Sequence, residues 1–499
     1  MSNYKTFRGG YRFAEFQGQP DDVLEETSIP TQVKIPLVQG FGSEVDCLVK
    51  VGDKVSAGQI IARNDQHVSS PIHATVNGEV NEIKKSHYLG QNCFIVTIKS
   101  DGSSEYQKIS GASANWQQLS PESIEEILYT SGITALGYEG IPSRFNSSII
   151  QPNDVENIIV YMLNSDPYNI SPTALFHNRK IQDLLDGIDI LHRIMPKAKV
   201  FVATSSEYKN VIGELDKNVA KYNWLKLLYL KSKYPQSHEA MLVKTVLGQD
   251  FPYGYSAANI GTIILDFQAV LQAYEAVAEG KPLIERTIAL CGSALKAPLH
   301  VKVRTGTSLS EIAGSRIKPD VTPRFILNNL LMGTELADLA LPIDRTYSQI
   351  IAIPENRNRK FLAFIRPGFR SDSYTRTFMS KYLPIATKTV DTNKNGEERP
   401  CISCNYCEEV CPVSIIPHIL SKYVQRDMID ETLANLHIFD CIQCGLCSYV
   451  CPSKISLAQH IKAGMDSLTE QGCNREVCIL PHFDNIRGIV ESYRGAKEI

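Results

Sequence analysis

The chain is 499 residues long, 43% hydrophobic and 21% charged, with a formal net charge of −3. Such a length implies about three or four domains, such a composition is that of an ordinary globular protein, and the lack of a basic excess sets nucleic-acid binding aside. No stretch reaches the roughly 18 uninterrupted apolar residues that cross a bilayer, and the opening residues lack the apolar core of a secretion signal, so work at a membrane is expected from its surface, through partners.

Residues 1–30 are polar and read as a leading arm. Over 31–110 short apolar strands alternate with turns, and Asn77-Gly78 between strand-like runs predicts a hairpin. The phrases Val51-Gly-Asp-Lys-Val55 and Ser70-Pro-Ile-His-Ala-Thr-Val-Asn-Gly78 resemble the flattened barrel of biotinyl and lipoyl carrier domains. Those carriers present a lysine at a tip between the two phrases. Here the tip reads Arg63-Asn-Asp-Gln-His67, so the fold is expected without the swinging arm. His67 and His73 are expected as polar surface residues rather than metal ligands.

Over 111–298 helical and strand-like runs alternate, which argues for an open α/β domain. Ser120 caps a helix with proline at its first position. Strands are expected at Asn157–Leu163, Lys199–Thr204, Lys226–Leu230 and Arg286–Gly292, and helices at Ile181–Met195, Tyr208–Leu215 and Ala269–Ala278. A β-grasp-like module is expected over 299–370 and a turn-rich linker over 371–400.

The chemistry lies in 401–465. Cys401-Ile-Ser-Cys404-Asn-Tyr-Cys407-Glu-Glu-Val-Cys411-Pro412 and Cys441-Ile-Gln-Cys444-Gly-Leu-Cys447-Ser-Tyr-Val-Cys451-Pro452 are two complete C-x2-C-x2-C-x3-C-P runs, the spacing that holds [4Fe–4S] clusters in bacterial ferredoxins. A tight loop brings three thiolates to one cube, and the cysteine before proline serves the other cube. The expected sets are therefore Cys401, Cys404, Cys407 and Cys451 for one cluster, and Cys441, Cys444, Cys447 and Cys411 for the other. Zinc sites lack the fourth cysteine and the proline, and disulfides do not suit a chain without a secretion signal. The other cysteines, Cys47, Cys93, Cys291, Cys473 and Cys478, are scattered and read as reduced thiols. Two helices are expected between the motifs, near 415–425 and 429–437, and a helical then irregular tail over 466–499. The fold class is thus multidomain α+β and α/β: a barrel-sandwich hybrid, an open α/β domain, a β-grasp-like module and a helix-elaborated two-cluster ferredoxin domain.

This order of parts resembles the RnfC family, the cluster-bearing peripheral component of the ion-translocating ferredoxin:NAD oxidoreductase (Rnf) complex, over roughly 30–465. Lys233-Tyr-Pro-Gln-Ser-His-Glu239, Gly280-Lys-Pro-Leu-Ile-Glu-Arg286 and Gly306-Thr-Ser-Leu-Ser310 carry the likeness. Residues 355–400 are similar to the NqrA component of the sodium-translocating NADH:quinone oxidoreductase, at Tyr374-Thr-Arg-Thr-Phe378 and Gly396-Glu-Glu-Arg-Pro400, although NqrA lacks the cysteine motifs.

The resemblance implies an FMN and NADH pocket with a glycine-rich loop and an acidic stretch. The matching positions here read Leu136-Gly-Tyr-Glu-Gly-Ile-Pro-Ser143 and Asn164-Ser-Asp-Pro167, leaving Gly137, Gly140 and Asp166 as candidate cofactor-binding residues. Bound FMN and a vestigial pocket both stay open, and the carboxylate of Glu139, placed where a phosphate would sit, favours the second. The resemblance further implies a peripheral electron-transfer protein on the cytoplasmic side of the membrane. Its partners would be integral flavin-containing subunits and a soluble carrier such as a ferredoxin, a flavodoxin or an NADH-oxidising protein. The alternative is a soluble NADH/flavin-dependent reductase of the cobalamin-reductase kind.

Overall fold

A computed structural model describes residues 4–13, 16–40, 44–64, 69–133, 150–163, 165–176, 181–205, 207–336, 338–357, 390–393 and 397–473. The leading segment is more than an arm. Phe7 and Phe16 are buried, and strand β1 (Leu24–Glu26) pairs in parallel with a distant strand, Leu24 standing opposite His300.

The next unit folds as two small sheets. Strands β2 (Gln32–Pro36), β3 (Asp46–Cys47), β4 (Lys54–Val55), β5 (Ile60–Arg63), β6 (Ile72–His73), β7 (Gly78–Tyr88) and β8 (Gln91–Ser100) form the orders β2-β8-β7-β4 and β3-β5-β6. Between them lies a core of Val33, Ile35, Ile61, Val80, Val96 and Ile98. The hairpin expected at Asn77-Gly78 does not form. That dipeptide carries the chain from one sheet to the other, because β6 pairs with β5 whereas β7 pairs with β4 and β8. Asn77 is held there by accepting from the Ala57 N–H and donating to the Glu105 carbonyl. Any side chain on Gly78 would collide with the Lys99 carbonyl. The hairpin joins β7 to β8 instead, through Leu89 (φ 44°) and Gly90 (φ 89°), a two-residue turn with positive φ at both positions.

Strands β9 (Asn157–Met162), β10 (Lys199–Ser205), β11 (Leu225–Leu230) and β12 (Thr262–Asp266) form an all-parallel sheet in the order β11-β10-β9-β12. Parallel sheets need cover on both faces. Ile158, Val160 and Met162 of β9 face one apolar cluster, which includes the helices Pro121–Thr130, Ile181–Ile194 and Phe267–Tyr274. Ile159 faces another with Leu242, Val243 and Val246 of the helix Glu239–Leu247. Strand order reverses between β9 and β12, so this is the topological switch point at which such sheets take ligands, beyond the carboxyl ends of the strands.

Strand β13 (Glu285–Cys291) was expected in that α/β domain but joins a different sheet. It lies inside a six-stranded sheet, β1-β14-β13-β17-β15-β16, with β14 (Leu299–Arg304), β15 (Pro323–Leu327), β16 (Thr334–Leu336) and β17 (Gln349–Pro354). Apolar content alone could not tell one sheet from the other. The cysteine motifs follow, with helices Pro417–Gln425 and Glu431–Asn435 between them and Leu457–Glu470 after them.

Candidate metal centre and the crevice behind it

The two motifs are a structural repeat offset by 40 residues: Ser403, Asn405 and Ser414 have φ of 52°, 58° and 60°, and Gln443, Gly445 and Lys454 have φ of 53°, 75° and 58°. Positive φ folds each loop tightly enough to turn backbone N–H groups toward sulfur. The Ser403 N–H lies 3.4 Å from Cys401 Sγ, and the Gln443 N–H 3.4 Å from Cys441 Sγ.

Cysteines of both motifs meet at one cavity. Cys401, Cys404, Cys407 and Cys451 line one cavity, closed by Pro452, Ser453, Ile455, Leu457 and His418. Burial pushes the Cys407 thiol up to about 11, and the nearby Cys404 and Cys451 add to it. On the other side, burial pushes Cys441 up to about 11 and Cys444 up to about 12, with Cys411 contributing to both. Cys447, also raised by burial, responds to Cys444 and Cys441 and then to Cys407, so the two sets lie side by side. Among the described residues no three His, Cys, Asp or Glu side chains gather as they would on a single metal ion. A four-iron cube places its thiolates at separate corners, and the quartet lining this cavity suits such a group.

The second set backs onto the carboxyl ends of the parallel strands. Tyr234, just past β11, donates its hydroxyl to the Cys444 carbonyl at 2.8 Å. Phe439 is buried against Tyr253, and Tyr449 packs on Tyr11 and Phe13.

Behind Tyr234 lies Asp166, part-buried beyond β9. Ser237 and Ser165 donate to it at 2.9 and 3.3 Å. Desolvation nevertheless raises its carboxyl to about 6. At the adjoining switch point Asp266 uses Oδ1 to cap the helix Phe267–Tyr274, while its Oδ2 has no hydrogen-bond partner among the described residues. Arg286 is 1% exposed and donates Nε to the Tyr347 carbonyl, while both Nη groups have no hydrogen-bond partner among the described residues. A ligand with an anionic or carbonyl edge would suit the Arg286 Nη donors, whereas Asp266 Oδ2 would need a donor such as a hydroxyl. Gly137 and Gly140 lie outside the described residues, as does His67, and most of the stretch likened to NqrA lies outside them too.

His73 is not the surface residue expected. It is buried, burial lowers its imidazole to about 4, and Nε2 donates to the Thr130 carbonyl at 2.9 Å. The Leu283 N–H donates to the Ser131 carbonyl at 3.0 Å, and Arg345 Nη1 to that of Gly132 at 2.9 Å. The last carbonyls of a helix normally lack partners. Here three successive ones at the end of Pro121–Thr130 are held from outside the helix, by the barrel and the six-stranded sheet. Arg345 escaped the sequence reading because its partners are main-chain carbonyls, which leave no trace in side-chain pattern.

Three family models match in the order of these units: the RnfC barrel sandwich hybrid domain over 5–103, the Nuo51 FMN-binding domain over 128–275 and the 4Fe-4S dicluster domain over 400–455. The RnfC-type component of the proton-translocating ferredoxin:NAD(+) oxidoreductase complex of Clostridium ljungdahlii is 28% identical, covering 92% of this chain and 93% of that one. The chain belongs to the RnfC family. Other members include the corresponding components of the ion-translocating oxidoreductase complexes of Pectobacterium carotovorum and Pseudomonas aeruginosa, each 28% identical over 99% and 90% of this chain. This RnfC-family chain spans only 62% and 54% of those two relatives' length. A solved NAD+-reducing [NiFe]-hydrogenase in the H2-reduced state superposes with a TM-score of 0.43 at 11% identity, over 75% of this chain and 66% of that one. The cofactor type is [4Fe–4S], and no described helix is long and apolar enough to cross a membrane.

Proposed function

We propose that this RnfC-family chain is the peripheral iron–sulfur subunit of a membrane redox complex that couples electron transfer to ion translocation. Cys401, Cys404, Cys407 and Cys451 would hold one [4Fe–4S] cluster, and Cys411, Cys441, Cys444 and Cys447 the other. Bound there, such clusters accept and release single electrons. The chain's own contribution is to fix the cubes side by side, exclude water and set local hydrogen bonding and charge. One observation carries the reading: a cavity lined by three cysteines of the first motif and the last cysteine of the second.

The partners on this reading are integral flavin-bearing subunits on the membrane side and a soluble electron carrier on the cytoplasmic side. Retention of the chain in washed membranes, and its co-purification with integral flavoproteins, is the expected result. A chain that purifies free of membranes with full NADH-dependent reductase activity would overturn it. That second outcome is the soluble-reductase reading, which the match to an FMN-binding domain and Arg286, whose Nη groups have no hydrogen-bond partner among the described residues, favour. Glu139 in the loop opposes it. Flavin content, and bleaching of the clusters by NADH without oxygen, separate the two.

A further inference from the structure

The ferredoxin-like unit is an internal repeat, yet its two quartets sit in unlike surroundings, and the difference comes from the N-terminal segment. Residues 5–13 run between the α/β unit and the second quartet. Lys5 N–H donates to the Tyr229 carbonyl at 3.0 Å, and Tyr11 and Tyr234 exchange backbone hydrogen bonds of 2.9 Å each. Lys233 Nζ donates to the Phe7 and Gly9 carbonyls. On its other side the segment meets the second quartet directly. Gly10 N–H donates to the Val410 carbonyl at 2.8 Å, and Gly9 (φ 72°) lies so close to Cys411 that a side chain would strike its carbonyl.

Rings then seal the gap. Phe13 packs on Tyr449 at 5.0 Å and on Tyr234 at 5.6 Å, and Tyr11 on Tyr449 at 5.5 Å. Tyr234 is 1% exposed, and its hydroxyl reaches the Cys444 carbonyl. The equivalent position in the first motif is Cys404, itself partly exposed, beside Ile402 at 60% exposure. Three cysteines of the second quartet are buried against two of the first.

We infer that residues 5–13, with Tyr234 as a positioning residue, wall off the cluster held by Cys411, Cys441, Cys444 and Cys447, so that it takes the lower reduction potential of the two. The inference rests on the two-cluster reading proposed above. Each reduction adds one electron, breaks no covalent bond and adds one negative charge to the quartet. Charge is disfavoured where water is excluded, and exposure and hydrogen bonding to sulfur set cluster potentials. With clusters bound, the chain's residues would place the lower-potential site against the α/β unit and the higher-potential site toward the exposed Ile402 face.

The test is an anaerobic potentiometric titration of the cluster-loaded full chain, followed by electron paramagnetic resonance. Two separate midpoints are expected. Tyr234→Phe, with iron content unchanged, moves the lower and leaves the higher, whereas Ile402→Asp moves only the higher. A measurement on the unmutated protein guards against a Tyr234 variant that fails to fold: a soluble dysprosium chelate should speed spin relaxation of the higher-potential cluster far more than the lower. Equal relaxation enhancement, or a Tyr234→Phe shift confined to the higher midpoint, overturns the inference. About four irons per chain would remove the two-cluster reading itself.

Discussion

At the scale of single residues, the fourth cysteine of each motif is the most informative position, because on the proposed assignment it serves the motif it is not part of. Cys401→Ser with Cys451→Ser should lose no more iron than either alone, about four per chain, whereas Cys401→Ser with Cys411→Ser should empty both sites. Iron analysis of the purified variants decides; the reverse pattern would assign each motif its own cluster. Spacing and the following proline single these cysteines out in the sequence, since a covalent requirement leaves a fixed sequence trace.

Buried titratable groups left no such trace. His73 has a folded value near 4, held down by burial, against 6.5 for an ordinary histidine. As pH falls below 6.5 the unfolded chain takes this proton first, so stability is lost progressively down to about pH 4. The loss is on the order of 3 kcal/mol. His73→Gln, which can still donate to Thr130, should flatten that decline in denaturant midpoints between pH 7 and 5. Asp166 works with the opposite sign. Its folded value is raised to about 6 from 3.8, so the stability it contributes is present at low pH and is lost as pH rises through 6. Asp166→Asn should therefore raise the melting temperature at pH 7.5, with the gain fading toward pH 4. A carboxylate kept out of water against stability at the edge of a cofactor crevice is characteristic of functional sites. Melting curves across pH check both variants.

Among elements, those governed by local rules were legible and those governed by distant partners were not. The helix Pro121–Thr130 announced itself by Ser120, which accepts from the Ser123 N–H, and by Pro121. The parallel strands showed as apolar runs. Asn77-Gly78 misled because its geometry answers to Ala57, Lys99 and Glu105 rather than to its own flanks. Residues 5–13 looked polar because their work is done by backbone groups and a few rings that touch other units. Gly9→Ala tests how tightly that segment is seated: a side chain at φ 72° against Cys411 costs about 1–3 kcal/mol in backbone strain alone. Lower iron retention and a lower denaturation midpoint are expected. Unchanged values would mean that the segment lies loosely on the second quartet.

For the whole molecule, the units are arranged around one line from the carboxyl ends of β9–β12 through Tyr234 to the cysteines. The barrel, having no lysine at its tip, contributes main-chain anchorage instead: His73 and, through Gln39, Ser70 and Pro71, the buried Arg345 tie it to the end of the helix Pro121–Thr130. That arrangement could not be read from sequence, since a hub made of backbone carbonyls has no composition of its own. The order of the units could be read, and with it the family. On the proposed function, this chain carries electrons through two four-iron cubes. Iron and acid-labile sulfide measured on the anaerobically purified or reconstituted chain test it most directly. About eight of each per chain are expected; four or fewer irons, or stoichiometric zinc in their place, would contradict the two-cluster reading.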